Sequence, residues 1–177
     1  MITKTDNKII KLAFFTAFAV TVYVLESFIP KPLPFMRLGL ANIVVLLLLI
    51  SSDFKSASIV AISKTIIGGF FSGALLSPTT LLSLSGSILS LCLMFLTIRS
   101  HFGFSIIGIS IIGAVAHNLT QIVVVRILLI RENSIFYLTP ILVIMGIVTG
   151  IVTGYLTYLI KDSLFAKEDE ELFRIKN

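Results

Sequence analysis

Apolar residues form about six long blocks along the chain, separated by short segments rich in polar residues, proline and glycine. A membrane-spanning helix needs about 20 apolar residues, because the hydrocarbon core of a bilayer is about 30 Å thick. The apolar runs are continuous and do not alternate with polar residues as the strands of an outer-membrane barrel would. The pattern therefore predicts six helices, at Ile9–Ile29, Leu38–Ser52, Ser56–Leu76, Thr80–Ile98, Phe104–Ile130 and Tyr137–Ile160.

The composition supports a membrane protein. The chain has 177 residues, of which 56% are hydrophobic and 13% charged, and its mean hydropathy is +1.07. These values exclude a soluble globular domain. The net charge of +5 does not indicate nucleic-acid binding, because the basic residues gather at the helix ends. We predict an all-α polytopic bundle of six transmembrane helices over residues 1–160. A short charged tail follows over residues 161–177, and we expect it to be helical at the membrane surface or partly frayed.

The distribution of Lys and Arg predicts the orientation of the bundle in the cell membrane. Loops that face the cytoplasm carry an excess of these residues. With the N-terminus inside, the inner segments contain Lys4, Lys8, Lys11, Lys55, Arg99, Lys161, Lys167, Arg174 and Lys176. The outer loops contain only Lys31, Arg37 and Arg131. This asymmetry predicts that both termini lie in the cytoplasm and that lipids surround the bundle.

Two apolar blocks contain polar side chains that are costly in hydrocarbon. Lys64 lies within the third predicted helix, and the fifth contains His117, Asn118, Gln121 and Arg126. Because His117 and Gln121 are four residues apart, they share a helix face, with Asn118 beside it. These side chains could line a substrate cavity. The alternatives are hydrogen bonds to neighbouring helices for the amides, pairing or snorkelling for Lys64, and snorkelling for Arg126.

Catalytic and metal sites are not indicated by the residues available. A metal site needs several His, Cys or carboxylate ligands, whereas the apolar blocks offer His117 and the distant Glu26. The single cysteine, Cys92, has no base placed beside it by sequence spacing. No glycine-rich nucleotide loop is present, so the chain by itself does not drive transport with ATP. We therefore predict a protein that is not an enzyme and that has no cofactor.

Small residues predict two sites of close helix approach. Gly146, Gly150 and Gly154 are spaced four apart on the sixth helix, which allows another backbone to approach closely. Ala13 and Ala17 form a shorter pair on the first helix. Packing within the bundle explains the glycines, and either internal packing or a partner surface explains the alanines.

Three sequence strings resemble the Gx transporter family, which is also labelled heptaprenyl diphosphate synthase component I. They are LPFMRLGLAN at residues 33–42, SLSG at residues 83–86 and GAVAHNLTQ at residues 113–121. The resemblance extends over nearly the whole chain. More distantly, that family is similar to the substrate-binding S components of energy-coupling factor (ECF) transporters.

The resemblance implies a fold, partners and a ligand class. S components have six helices with both termini in the cytoplasm, and a motif that Ala13 and Ala17 match touches a transmembrane coupling subunit, which works with two ATPases. They bind vitamins such as riboflavin near the outer face, so a flavin or a prenyl compound is the expected small-molecule substrate. The predicted substrate-binding residues are Asn42, His117, Asn118 and Gln121, with Arg37 and Arg126 for an anionic group.

The synthase label supplies an alternative. Prenyl elongation uses Asp-rich motifs to hold magnesium and diphosphate, but Asp6, Asp53, Asp162 and Asp169 are isolated from one another. A non-catalytic membrane role in heptaprenyl diphosphate or quinone synthesis therefore remains open, whereas catalysis by this chain alone does not. A self-sufficient channel or carrier is a third class, which inverted repeats with broken helices would favour. No such repeat is evident.

Overall fold

The computed structural model describes residues 4–30, 39–51, 53–100 and 102–176, and these residues are entirely helical outside their connections. The α-helices are α1 (Lys4–Ser27), α2 (Asn42–Ile50), α3 (Phe54–Phe71), α4 (Pro78–Arg99), α5 (Ile106–Leu128) and α6 (Thr139–Lys176). A short 3-10 helix, Asn133–Leu138, leads into α6. The predicted all-α fold class is confirmed.

Five of the described helices are long and apolar enough to cross a membrane. The exception is α2, whose nine residues extend about 13 Å at the usual rise of a helix. This length is less than half the thickness of the hydrocarbon core. The predicted helix at Leu38–Ser52 is therefore shorter than expected, although residues 38 and 52 lie outside the described part. The chain is a helical membrane protein, and six crossings stay a prediction.

The short helix α2 lies inside the bundle. Every residue from Val44 to Leu49 is buried, and α1, α3, α4 and α6 all contact the helix. A helix that is apolar on all sides is stable only where other apolar surfaces surround it. Because its neighbours cover it, α2 has little contact with lipid.

Polar contacts at both ends of α1 fix the direction of α2. The Glu26 carboxylate, near the C-terminal end of α1, accepts hydrogen bonds of 3.0 Å from the backbone amides of Gly39 and Leu40. At the other end of α1, Lys8 Nζ lies 3.3 Å from Asp53 Oδ2. The segment 39–53 therefore returns the chain from the C-terminal end of α1 to its N-terminal end, as a six-crossing topology requires.

Basic residues gather at one end of the bundle, which includes Lys8, Lys55 and Arg99. We call it the basic end. The rings of Phe54, at the start of α3, and Phe95, near the end of α4, are 4.4 Å apart, and Arg99 lies over Phe95. Gly154 of α6 packs on Ile107 at the start of α5. The start of α1 and the C-terminal half of α6 thus lie at the same end of the bundle. That this end faces the cytoplasm stays a prediction.

Asp53 caps α3 at the basic end. Its carboxylate accepts hydrogen bonds from the Ser56 amide (3.0 Å) and the Ser56 hydroxyl (2.7 Å), as an N-cap residue does. The Ser56 hydroxyl and amide, followed by Lys8, hold the pKa of Asp53 below its usual value because all of them favour the charged carboxylate.

Helix α3 ends earlier than the sequence predicted, and helix α6 continues into the predicted tail. Helix α3 ends at Phe71 instead of Leu76, since Gly73 adopts a left-handed backbone conformation (φ 68°) that terminates the helix. Helix α6 continues past Ile160 to Lys176, so the predicted tail, residues 161–177, forms part of this helix up to residue 176. Its Lys, Glu and Leu residues are good helix formers, which explains the extension.

Candidate functional site

Buried polar side chains from α1, α2, α3, α4 and α5 meet at one small cavity. It lies towards the end of the bundle opposite the basic end. It is lined by Tyr23, Glu26, Gly39, Ala41, Asn42, Lys64, Ser83, Ser87 and His117. Its volume of about 10 Å³ is enough for about one water molecule. Glu26 and Lys64 are each only 2% exposed and His117 only 4%, so three ionisable groups are enclosed by an otherwise apolar bundle.

Glu26 holds the turn that begins α2. Its two carboxylate oxygens each accept one backbone amide, from Gly39 and from Leu40. Hydrogen bonds to a carboxylate and the positive end of a helix dipole both stabilise the negative charge. The left-handed conformation of Gly39 (φ 78°) presents this turn to Glu26 without the strain that a side chain would bring.

Lys64 joins α3 to the first residue of α2. Its ammonium group donates a hydrogen bond to the amide oxygen of Asn42. Because Lys64 is buried, its side chain does not extend to the membrane surface. The sequence left pairing and snorkelling open for Lys64, and the structure shows pairing inside the bundle. The partner is Asn42, which the sequence analysis predicted to bind substrate.

His117 reaches the cavity from α5, and Gln121 supports it from the next turn. The Gln121 amide nitrogen lies 3.2 Å from His117 Nε2. Which of these two groups donates depends on the tautomer of the imidazole. The ring rests on Gly86 of α4, where a Cβ atom would come within 2.9 Å of Nδ1. Gly86 therefore makes the space that the imidazole occupies.

Tyr23, Ser83 and Ser87 supply the remaining polar side chains of the lining. The Tyr23 ring lies against Gly68, where an added Cβ would come within 2.3 Å of Cδ1. Ser83 is 1% exposed, and its hydroxyl has no hydrogen-bond partner among the described residues. An unsatisfied buried hydroxyl is unfavourable in a fully structural network.

Other predicted substrate-binding residues lie outside the cavity lining. The Asn118 amide donates a hydrogen bond of 3.0 Å to the carbonyl oxygen of Leu142 on α6. Arg126 is partly buried, and its Nε donates to Asn133 in the 3-10 helix at 3.0 Å. Gln121 lies behind His117, and Arg37 lies outside the described residues. Asn118 and Arg126 thus contact neighbouring segments, as the alternative interpretation proposed for Asn118.

The predicted small-residue sites differ from each other in exposure. Ala13 and Ala17 are both exposed on α1 and point away from the bundle core. The glycines of α6 pack directly on the α5 backbone, since an added Cβ would lie 2.6–2.9 Å from an α5 Cα atom. The pairs are Gly146 with Val115, Gly150 with Ile111, and Gly154 with Ile107.

Some cavity residues were not among the predicted site residues. Glu26 and Lys64 had a sequence signal, because an ionisable residue in an apolar block is unusual. Ser83 also had one, because it lies in the SLSG string at residues 83–86. Tyr23 and Ser87 had none, since Tyr and Ser occur widely in membrane helices. The strings that carry the family resemblance meet here. Gly39, Ala41, Asn42, Ser83 and His117 line the cavity, and Gly86 contacts the His117 ring.

The described residues include no group of three or more His, Cys, Asp or Glu side chains placed to hold a metal ion. The cavity is lined by the Glu26 carboxylate and the His117 imidazole, together with serine, tyrosine, asparagine and lysine side chains. The site as a whole provides hydrogen-bond donors and acceptors around one small cavity, which is suited to binding and orienting a polar group.

Comparison with known proteins identifies the family. A family model described as heptaprenyl diphosphate synthase component I matches residues 15–160. No curated protein and no solved structure matches the chain. The matched residues include most of α1, all of α2 to α5 and the part of α6 that packs on α5, and therefore contain the whole cavity. The chain belongs to the heptaprenyl diphosphate synthase component I family.

Proposed function

We propose that the protein is a membrane-embedded binding subunit that captures a small molecule and presents it to partner proteins. The observation that carries this proposal is the convergence of buried polar groups from five helices on one cavity. Ionisable groups are costly within a membrane protein and are generally retained for function. The unsatisfied hydroxyl of Ser83 also favours a ligand, because a structural network satisfies its own members.

The transport role that we propose is that of an S component in an ECF-type transporter, with an ATP-driven module as partner. The exposure of Ala13 and Ala17 supports it, because a stripe of small residues on an outer helix face allows another helix to approach closely. The chain would supply recognition, and a transmembrane coupling subunit with two ATPases would supply energy. No chemistry on the ligand is part of this role.

The ligand that we propose is a flavin-like or prenyl-related small molecule bound at the cavity. Pockets for such ligands measure about 300–1,000 Å³, so the cavity of about 10 Å³ has to widen on binding. This widening would require the Tyr23 and His117 rings, which pack on Gly68 and Gly86, to change position. Asn42 and His117 would contact the ligand, and Gln121 would position His117.

The second candidate is a non-catalytic membrane component of heptaprenyl diphosphate synthesis. The description of the matching family model favours it. In this role the chain would bind a prenyl diphosphate and assemble with a catalytic subunit. The two candidates differ in one measurement: only the transporter predicts ATP-dependent uptake when the chain is reconstituted in proteoliposomes with an ECF module.

The binding role is tested by identifying what the protein retains. The chain would be purified in mild detergent and its extracted small molecules identified by mass spectrometry, alongside His117→Ala and the control Ser58→Ala, a half-buried serine outside the cavity lining. We expect one compound to co-purify with the wild type and the control and to be depleted at least about tenfold in His117→Ala. Equal retention by all three folded proteins would contradict a ligand at this cavity.

The orientation is tested by labelling single cysteines in a Cys92→Ser background. We expect cysteines at Asp53, Arg99 and Asn177 to be protected from an impermeant reagent added outside, and cysteines at Lys31, Ser77 and Asn133 to react. External labelling at Asn177 would contradict the cytoplasmic termini and the S-component role.

A further inference from the structure

At the basic end, helix α3 carries a lysine at the end of an exposed apolar stripe. Lys55 shares a helix face with Ile59, Ile62 and Ile66, because spacings of three and four residues return to the same side of a helix. The three isoleucines are 42–47% exposed, and Lys55 is exposed as well. The stripe therefore faces lipid, with the positive charge at the membrane-surface end of the helix.

Helix α4 repeats this arrangement in the opposite direction. Arg99 is its last residue, and Leu96, Cys92 and Leu89 lie on the same face at spacings of three and four residues. All four side chains are exposed. Because the start of α3 meets the end of α4, the two helices together present one cation each at the same end of two lipid-facing stripes.

A pair of aromatic rings holds these helix ends beside each other. The ring centroids of Phe54 and Phe95 are 4.4 Å apart, and the guanidinium carbon of Arg99 lies 5.3 Å from the Phe95 centroid. A cation over an aromatic ring is attracted to it, so this contact keeps Arg99 next to the seam between α3 and α4. Lys55 directly follows Phe54 in the chain, and both cations therefore adjoin the same aromatic pair.

Neither cation is neutralised within the described part of the chain. The salt bridge at this end joins Lys8 to Asp53, and no carboxylate of the described residues forms one with Lys55 or Arg99. Asp53, the acidic residue nearest to Lys55 in the sequence, binds Ser56 and the lysine of α1 instead. The outer surface of the α3–α4 pair thus combines two positive charges with two apolar stripes. A phospholipid has the complementary form, an anionic headgroup at the end of two acyl chains.

We infer that this surface binds an anionic phospholipid, whose phosphate lies between Lys55 and Arg99 and whose acyl chains lie along the stripes of α3 and α4. Each Lys or Arg at an anionic membrane surface adds an attraction that corresponds to about a fivefold gain in affinity. A zwitterionic lipid gains less, because its own ammonium group opposes the two cations. The site lies at the opposite end of the bundle from the cavity, so the inference is independent of the proposed function.

Cys92 supplies a reporter at the site itself. It is exposed, and it lies two helix turns, about 10 Å, from Arg99 on the same face. A fluorophore on Cys92 of the full-length protein in nanodiscs is quenched by lipids with brominated acyl chains. Brominated phosphatidylglycerol and brominated phosphatidylcholine are compared, each as a minor lipid in unbrominated phosphatidylcholine. We expect the quenching to correspond to at least about a fivefold enrichment of phosphatidylglycerol at the reporter.

The variants separate this site from general attraction to a positively charged protein. They are Lys55→Gln, Arg99→Gln and the two combined, with Arg131→Gln as the control, because Arg131 is an exposed arginine outside the helix pair. The preference for phosphatidylglycerol should fall severalfold in each single variant, disappear in the double variant and persist in Arg131→Gln. Lys55→Arg and Arg99→Lys keep the charges and should keep the preference. Glycerol 3-phosphate, which has the phosphate without acyl chains, should leave the quenching unchanged.

Three results would overturn the inference. The first is equal quenching of the wild type by the two brominated lipids. The second is a preference for phosphatidylglycerol that the double variant shares with Arg131→Gln, since it would reflect the net charge of the protein and no local site. The third is loss of the preference on addition of glycerol 3-phosphate, which would assign the two cations to a soluble phosphate compound.

Discussion

Two parts of the bundle place glycines against a neighbouring helix, and they differ in what the glycine meets. In the seam between α5 and α6, Gly146, Gly150 and Gly154 meet backbone atoms of α5. At the cavity, Gly68 and Gly86 meet the rings of Tyr23 and His117. A backbone cannot yield without moving a whole helix, whereas a ring can rotate. The comparison indicates a rigid seam beside a cavity whose walls are adjustable.

The largest effect that we expect is at the seam. An alanine at Gly150 would place its Cβ 2.6 Å from the Ile111 Cα atom, so Gly150→Ala has to push α6 away from α5. Overpacking of this kind costs about 1–3 kcal/mol, and we expect a value at the upper end. Reversible unfolding in mixed detergent micelles measures the loss.

The control for that variant is Gly108→Ala on α5. Its nearest atom outside the local backbone would be Ser105 Oγ at 3.4 Å, an ordinary contact. Alanine should be neutral or stabilise the helix by about 0.5–1 kcal/mol. If Gly150→Ala and Gly108→Ala have the same stability, the seam is not rigid and the comparison fails.

The second prediction sharpens the comparison within α5 itself. Asn118 faces α6 and binds the Leu142 carbonyl, while His117 faces the cavity. Asn118→Ala removes this additional hydrogen bond between α5 and α6, so the ligand-free protein should lose about 0.5–1.5 kcal/mol of stability. His117→Ala should change ligand-free stability less and ligand binding more. A reversed order, measured by thermal unfolding and by calorimetry, would assign these neighbours the opposite roles.

The third prediction concerns the glycine under His117. In Gly86→Ala the new methyl group would lie 2.9 Å from the ring, and the imidazole would rotate away from the cavity. We expect ligand affinity to fall about tenfold, which corresponds to about 1.4 kcal/mol, with a smaller loss of stability than in Gly150→Ala. A loss of stability that equals the loss of binding would show that the cavity walls are as rigid as the seam.

The smallest effect on stability is expected at the exposed face of α1. Ala17→Leu adds side-chain volume where the bundle has no neighbour, so unfolding should be unchanged within about 0.5 kcal/mol. Under the proposed transport role, complex formation with an ECF module should be lost, while Ile66→Leu, at an equally outward-facing position on α3, should keep it. Co-purification after co-expression measures both variants.

Most of the fold was predictable from the sequence because hydrophobic block length follows directly from the thickness of the membrane. All six helices lie where the apolar blocks predicted them. The exception in length is α2. Its apolar residues alone could not reveal that four other helices would surround it, so that a helix shorter than the membrane thickness is buried there. The continuation of α6 to Lys176 required recognising the helix propensity of a charged segment.

The site was predictable in part. Asn42 and His117 were predicted to bind substrate, and both line the cavity, while Asn118 from the same string turns to α6. A periodicity of four residues places side chains on one face but does not tell which neighbour that face meets. One of the strings that carry the resemblance contains Ser83, but its burial and its missing hydrogen bond are properties of the folded protein that the sequence did not reveal.

The measurement that tests the central claim most directly compares Ser83→Ala with Ser90→Ala. Both serines are on α4, both are 1% exposed, and both hydroxyls make no hydrogen bond among the described residues, but only Ser83 lines the cavity. Either alanine removes an unsatisfied buried hydroxyl, so neither variant should lose ligand-free stability, and both could gain up to about 1 kcal/mol. The claim that the cavity is a ligand site predicts that the co-purifying small molecule is lost in Ser83→Ala and retained in Ser90→Ala. Equal retention by the two variants would contradict it.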